Sequence, residues 1–236
     1  MRSSYPGASA SSSSRDRTRQ PRPQCCAIAA TGAPAPAVVA TGSDLLVMER
    51  LPSGGRLSDA WSDLASVLNR LHACRGNRFG WEADHRFGAV AIQNGPADDW
   101  SEFWAERRLL CHLPHVDAEL ACRIERLASD ISSRLPAQPP ASLLHGDLWG
   151  GNILVEGARV SGLIDPACYH GDREVDAAML TLFDHPPRGF FDALGLEPGW
   201  RERQPVYRLW PMLVHLRLFG RAYAGAVADT LTALGV

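Results

Sequence analysis

The apolar positions of this chain change period along its length. "APAVVATG" (35–42) and "DLLVMERL" (44–51) are short apolar runs parted by a glycine turn and closed by "PSGG", which predicts two short strands. From Ser58, placed to cap a helix, the spacing becomes helical: Trp61, Leu64, Ala65, Leu68 and Leu71 share one face. The same spacing predicts helices over Asp98–His112, through Trp100, Phe103, Trp104 and Leu110, and over Asp117–Leu135, through Leu120, Ile124, Leu127 and Ile131. After a turn at "AQPPA" come a short strand at Ser142–Leu144, an irregular loop, and a hairpin of "NILV" and "RVSGLI" about Glu156 and Gly157. Helices resume over Glu174–Phe183, Val206–Leu218 and Ala222–Leu234, and no internal repeat is found. The pattern predicts a few strands and then a mostly helical body, with one irregular loop between.

Composition refines the ends of this picture. Residues 1–26 are dominated by Ser, Arg and Pro, with too little apolar surface to offset the entropy of ordering, which predicts a disordered segment. A secretory signal is the rival reading, because arginines precede "CCAIAATGAPAPAVVA". Gly32, Pro34 and Pro36 interrupt that stretch and it lacks a leucine-rich centre. The net charge of −2 over 236 residues offers no pull toward nucleic acid or an anionic membrane, and no apolar run approaches the ~18 residues of a membrane span. The six cysteines show no zinc-ligand spacing, and a chain of this size needs no disulfides, which predicts reduced thiols and a cytoplasmic protein. All 24 basic residues are arginine. Any chemistry that needs an ammonium group from this chain is therefore excluded.

The candidate chemistry lies in "LLHGDLWGGNILVEGARVSGLIDPACYHGDREVD", residues 143–176. Asp147 and Asn152 share one irregular loop, and Asp165 follows the second strand of the hairpin, so strand ends meeting side by side bring the three together. Singly, each reads as a turn residue, since Asp and Asn tolerate left-handed backbone and bond their own main chain. Jointly they are a base and a pair of hard oxygen ligands of the kind that Mg²⁺ accepts beside substrate phosphates. Phosphoryl transfer asks for this division of labour: an Asp to take a hydroxyl proton, an Asn five residues on and a later Asp for metal.

"LLHGDLWGGN", "IDPACYHGDREVDAAML" and "QNGPADDWSEFWAERRL" closely resemble the fructosamine kinases, or ketosamine 3-kinases, over about Ile28 to Leu218. The resemblance implies an α+β, protein-kinase-like fold with a mostly helical C-terminal lobe, and an ATP- and Mg²⁺-dependent transfer to a sugar hydroxyl of a small or protein-linked ketosamine, the first step of deglycation repair. It implies Asp147 as base and Asn152 and Asp165 as metal ligands. Met48, Glu49 and Leu51 would form the hinge that meets adenine through the backbone of Glu49 and Leu51. Trp149 is implied at the substrate, and Trp100 and Arg107 are candidates there too, on a helical stripe with Phe103 for which core packing is the competing reading. His145 would order the loop, and Arg173, Glu174 and Asp176 would form a buried supporting network.

The sequence departs from that family at its start. A kinase of this type carries a glycine-rich strand-turn-strand over the phosphates, a lysine that grips them and a helix glutamate that pairs with the lysine. None is found before Ile28, and arginine differs in width and geometry from lysine. The expectation is therefore a truncated N-terminal β lobe: strands and hinge over 27–52, then the helical lobe with the catalytic loop over 53–236. Two alternatives stay open: another small-molecule phosphotransferase of the aminoglycoside or choline type, and a non-catalytic pseudokinase fragment.

Overall fold

The computed structural model describes residues 24–42 and 45–236. The expected disorder falls mostly outside these residues. Its last part is corrected: Gln24–Cys26 open a helix, α1 (Gln24–Ala30), whose Cys25 and Ile28 are buried. The proline-rich stretch that follows leads into β1 (Val38–Thr41) and β2 (Leu46–Met48), an antiparallel pair as the two apolar runs predict.

Helix α2 (Trp61–Ala73) buries Leu64, Ala65, Val67, Leu68 and Leu71, the expected face. Ser58 does not cap it. Residues Leu57–Asp59 form a tight turn of their own, the Ser58 hydroxyl donates to Asp59, and α2 starts behind Ala60. A hairpin that the sequence reading missed follows: β3 (His85–Phe87) and β4 (Val90–Ile92), each three residues and too short to show alternation.

The expected helix over Asp98–His112 is only partly regular. Asp99 caps α3 (Trp100–Trp104) by accepting from the Glu102 N–H at 2.9 Å; the chain then widens into a π turn over Ala105–Leu109 and tightens over Leu110–His115. Asp117 caps α4 (Ala118–Ser129) in the same way. Asp130 ends α4 and restarts the chain as α5 (Ile131–Arg134), its side chain accepting from Ser133 and Arg134, so one expected helix becomes two.

Two strand pairs set the site. β5 (Ser142–Leu144) pairs antiparallel with β8 (Tyr169–Gly171), and β6 (Ile153–Glu156) with β7 (Arg159–Leu163). Four helices complete the chain: α6 (Glu174–Phe183), α7 (Arg188–Leu194), α8 (Trp200–Phe219), which begins earlier than expected and passes through Pro205 and Pro211, and α9 (Ala224–Ala233).

The core has two parts. One gathers α3, α4, α8 and α9 about Trp100, Phe103, Trp104 and Trp210. The other packs α2, α6 and α7 against β5, β6 and β7 through Leu68, Leu143, Leu163 and Leu180. The loop of Asp147 and Asn152 follows β5, whose Leu143 and Leu144 belong one to each part. No helix among the described residues is long and apolar enough to cross a membrane, and all six cysteines are unpaired.

Candidate active site

Gly146 turns the chain out of β5. Its φ of +79° suits glycine, and a Cβ there would stand 2.1 Å from the Ala167 carbonyl oxygen, so no larger residue fits. The turn delivers Asp147, half-buried, to the wall of a cavity that Trp149 also lines. At the far end of the loop the Asn152 amide donates to the Asp147 carbonyl at 2.9 Å and to its carboxylate Oδ2 at 3.1 Å. The Asn152 carbonyl oxygen of the backbone accepts from the Ile164 N–H at 3.0 Å, which seats Asp165 beside the pair. The hairpin between them brings the two ends of the segment together at this bond.

Three buried groups hold the loop. His145 accepts the Asp147 N–H at Nδ1 (3.3 Å), and its Nε2 lies 3.0 Å from the Ile164 carbonyl, which only accepts; the proton is therefore on Nε2. Burial pushes the His145 pKa down, so the ring is neutral and links the two loops as a spacer. Asp176 accepts the backbone N–H groups of His145 and Gly146 at 2.9 and 3.0 Å, and His72 Nε2 stands 2.9 Å from the same carboxylate. Burial alone would raise the Asp176 carboxyl; the hydrogen bond and charge of His72, with His145 and the Gly146 N–H, bring it below its ordinary value. Glu174 is held by Arg203 through two bonds of 2.8 and 2.6 Å. Arg173 departs from the expected network, since its guanidinium reaches the Gly195 carbonyl at the surface.

Asp147 is itself pushed up to about 6, chiefly by burial, against the lowering effect of the Asn152 bond. A carboxylate that titrates there is ionised at neutral pH and basic enough to draw a proton from a hydroxyl. Asp165 is exposed, sits in left-handed backbone with φ of +49°, and its carboxylate has no hydrogen-bond partner among the described residues. With Asn152 committing its NH₂ to Asp147, the amide oxygen of Asn152 and the carboxylate of Asp165 are open acceptors. Those two hard oxygens fit a Mg²⁺ ion that keeps water or phosphate as its other ligands.

Two cavities meet at Asp147. One, of about 470 Å³, runs from Asp147 and Asp165 to Met48, Trp81 and His85. Met48, a hinge candidate, lines this cavity. The Glu49 N–H is taken by the Ala37 carbonyl at 2.8 Å, while the Leu51 N–H has no backbone partner among the described residues; the Leu51 side chain packs over Gly162.

The other cavity, of about 410 Å³, is walled by Trp149, Phe183, His215, Phe219 and Tyr223. Gly151 admits the indole of Trp149, since a Cβ there would stand 2.3 Å from the ring. The remaining substrate candidates lie elsewhere. Trp100 is wholly buried, stacked on Phe103 at 5.3 Å with its Nε1–H donating to Tyr207, so core packing accounts for that stripe. Arg107 turns away from the loop to the Gly95 carbonyl. Phe183, His215, Phe219 and Tyr223 were missed by the sequence reading, because an aromatic on a helix carries no sign of which face looks into a cavity.

Comparison with known proteins gives a consistent answer. A probable ketoamine kinase of Synechocystis is 36% identical over 200 residues, covering 78% of this chain, which spans 65% of that relative's length. A probable ketoamine kinase of Escherichia coli K12 is 39% identical over 200 residues, 78% of this chain and 68% of the relative. A solved structure from Thermobifida fusca that carries the fructosamine-3-kinase name superposes with a TM-score of 0.82 at 31% identity, over 89% of this chain and 78% of that one. A choline/ethanolamine kinase family protein from Mesorhizobium loti, 18% identical with a TM-score of 0.58, over 88% of this chain and 74% of that one, shares the kinase-like fold alone. The family model for fructosamine kinase matches residues 19–234, and the chain belongs to the fructosamine kinase family.

Proposed function

We propose that this chain acts in the ATP-dependent phosphorylation of a sugar hydroxyl on a ketosamine, with Asp147 as the base. The observation that supports this reading is the placement of Asp147 on both cavities: it lines the aromatic chamber and also the cleft of Asp165 and Met48. A hydroxyl entering from the first side meets the base where a phosphoryl donor in the second side would end. In-line transfer needs that juxtaposition, together with neutralisation of the phosphates.

In this reading Asn152 and Asp165 would hold Mg²⁺, which when bound neutralises phosphate charge. The protein's own part is positional. Asn152 fixes the rotamer of Asp147, and His145 and Asp176 fix its backbone. The hinge role of Met48, Glu49 and Leu51 belongs to the same proposal, as does the division into a strand-and-hinge part over 27–52 and a helical lobe over 53–236. Phosphorylation of the hydroxyl on the third carbon of the sugar would then labilise the adduct, giving a repair activity in the cytoplasm.

The chamber also separates this reading from an aminoglycoside kinase. Among the described residues lining it, Asp147 carries the only carboxylate, and a polycation needs several. A non-catalytic reading draws on the absence of lysine, because the α- and β-phosphates lack their usual ammonium grip. Incubation with Mg·ATP and fructosyl-lysine, with the sugar phosphate followed by mass spectrometry, tests all three. Product above the level of an Asp147→Asn variant supports the proposal. ADP release that responds to an aminoglycoside and not to the ketosamine overturns it, and nucleotide binding without any product favours the non-catalytic reading.

A further inference from the structure

Among the polar groups that line the aromatic chamber, one imidazole has an open nitrogen. His215, in the last turns of α8, stands in a continuous row of rings: 5.5 Å from Phe183, 5.5 Å from Phe219 and 5.0 Å from Tyr223, with Trp149 a further 6.0 Å beyond Phe183. Its Nδ1 lies 2.7 Å from the Pro211 carbonyl. A carbonyl only accepts, so Nδ1 carries the proton, and in the neutral ring Nε2 presents a lone pair. Nε2 has no partner among the described residues, and the ring lines the chamber that contains Asp147.

The mouth of the chamber is equally unusual. Trp149, Phe183 and Phe219 are the three exposed Trp and Phe side chains among the described residues, at 40%, 45% and 61%, and all three line it. Exposed aromatics gathered at one cavity mark a ligand surface. Their faces attract cations, and their edges exclude water from whatever they hold. A chamber of π faces, with the open nitrogen of His215 and the Tyr223 hydroxyl as uncharged acceptors, suits a single desolvated cation with N–H groups to satisfy. It does not suit a carboxylate, a phosphate or a polycation.

We propose that His215 is the specificity residue of this chamber: Nε2 accepts a hydrogen bond from the secondary ammonium that joins sugar to amine, while Phe183, Phe219 and Tyr223 hold that cation and the alkyl chain beyond it. This rests on the ketosamine reading above and adds which atom tells an amine-linked sugar from a free or ether-linked one. It also leaves Asp147 for the hydroxyl. A carboxylate engaged by the ammonium would lose the basicity that the transfer needs, so a second acceptor separates the two tasks.

Calorimetric titration with two ligands tests it: an N-alkyl 1-amino-1-deoxyfructose, and the ether in which oxygen replaces the nitrogen. The native chain is expected to prefer the amine by roughly tenfold, the scale of one hydrogen bond from a charged donor. His215→Phe keeps a ring in the aromatic row and removes the acceptor; it should shrink the preference to what the aromatic faces alone give, by weakening the amine and not the ether. His215→Gln, which restores an acceptor oxygen, should recover part of the preference. An undiminished preference in His215→Phe, or equal weakening of both ligands, overturns the role of His215 while leaving the ketosamine reading intact. Failure of the native chain to bind either ligand overturns that reading and the inference with it.

Discussion

His72 Nε2 stands 2.9 Å from Asp176 Oδ2, with both side chains buried, and the same carboxylate receives the N–H groups of the two residues that precede Asp147. A helix from one end of the sequence thus sets the backbone from which the base projects. Removing the carboxylate strands three donors in a dry site. Asp176→Ala is expected to cost about 3–5 kcal/mol, the range for breaking a buried pair, read from urea unfolding. The Asp176 carboxyl is depressed in the fold. Its contribution is therefore complete above the unfolded value near 3.8 and is lost as pH falls through the lower folded one. Unfolding midpoints should drop below about pH 4 in the native chain, and less so in Asp176→Asn.

Asp147 has the opposite sign. Its carboxyl is raised to about 6, so in the window between 3.8 and 6 the unfolded chain ionises first and the folded state loses stability as pH rises. Asp147→Asn removes that buried charge. It should abolish transfer and yet stabilise the protein at pH 7 by up to about 2–3 kcal/mol, the gain vanishing near pH 4. Thermal midpoints of the two proteins across that range check this. If transfer is observed, its rate should rise through about pH 6 as the base ionises.

Two glycines of the same loop should respond differently to one methyl group. At Gly146 the added Cβ meets backbone, 2.1 Å from the Ala167 carbonyl, in left-handed geometry, so Gly146→Ala should cost about 2 kcal/mol or more. At Gly151 it meets only the outer edge of the Trp149 ring, 2.3 Å away, and that ring can swing into solvent. Gly151→Ala should therefore keep its stability within about 1 kcal/mol and weaken ketosamine binding. Equal destabilisation by both would count against the indole as the wall of the chamber.

Trp100 offers the reverse test. It is enclosed by Phe79, Phe103, Trp104 and Tyr207, with no path to Asp147. Trp100→Ala should cost about 3–5 kcal/mol, and Trp100→Phe less, with ligand affinity in the still-folded Phe variant close to native. A selective loss of affinity there would return Trp100 to the substrate side.

Local order decided what could be read directly. Asp147, Asn152 and Asp165 lie along one short stretch, joined by a hairpin whose two apolar strands and glycine turn specify their own pairing. Base and metal candidates are therefore legible from the sequence as a unit, as are α2, α4 and α6 from their apolar period. The family identity rests on the same stretch. Long-range packing decided the rest. A stripe such as Trp100, Phe103 and Arg107 has the same period whether it faces core or ligand, and only the packing of Phe79, Tyr169 and Tyr207 from distant segments encloses Trp100 and Phe103. His215 carries no motif; the Pro211 carbonyl fixes its tautomer, and the placement of α8 gives it a place in the cavity that Asp147 also lines. Side-chain chemistry is a property of the sequence, whereas burial, which moves Asp147 to about 6 and leaves one imidazole nitrogen facing a chamber, exists only once distant segments have met.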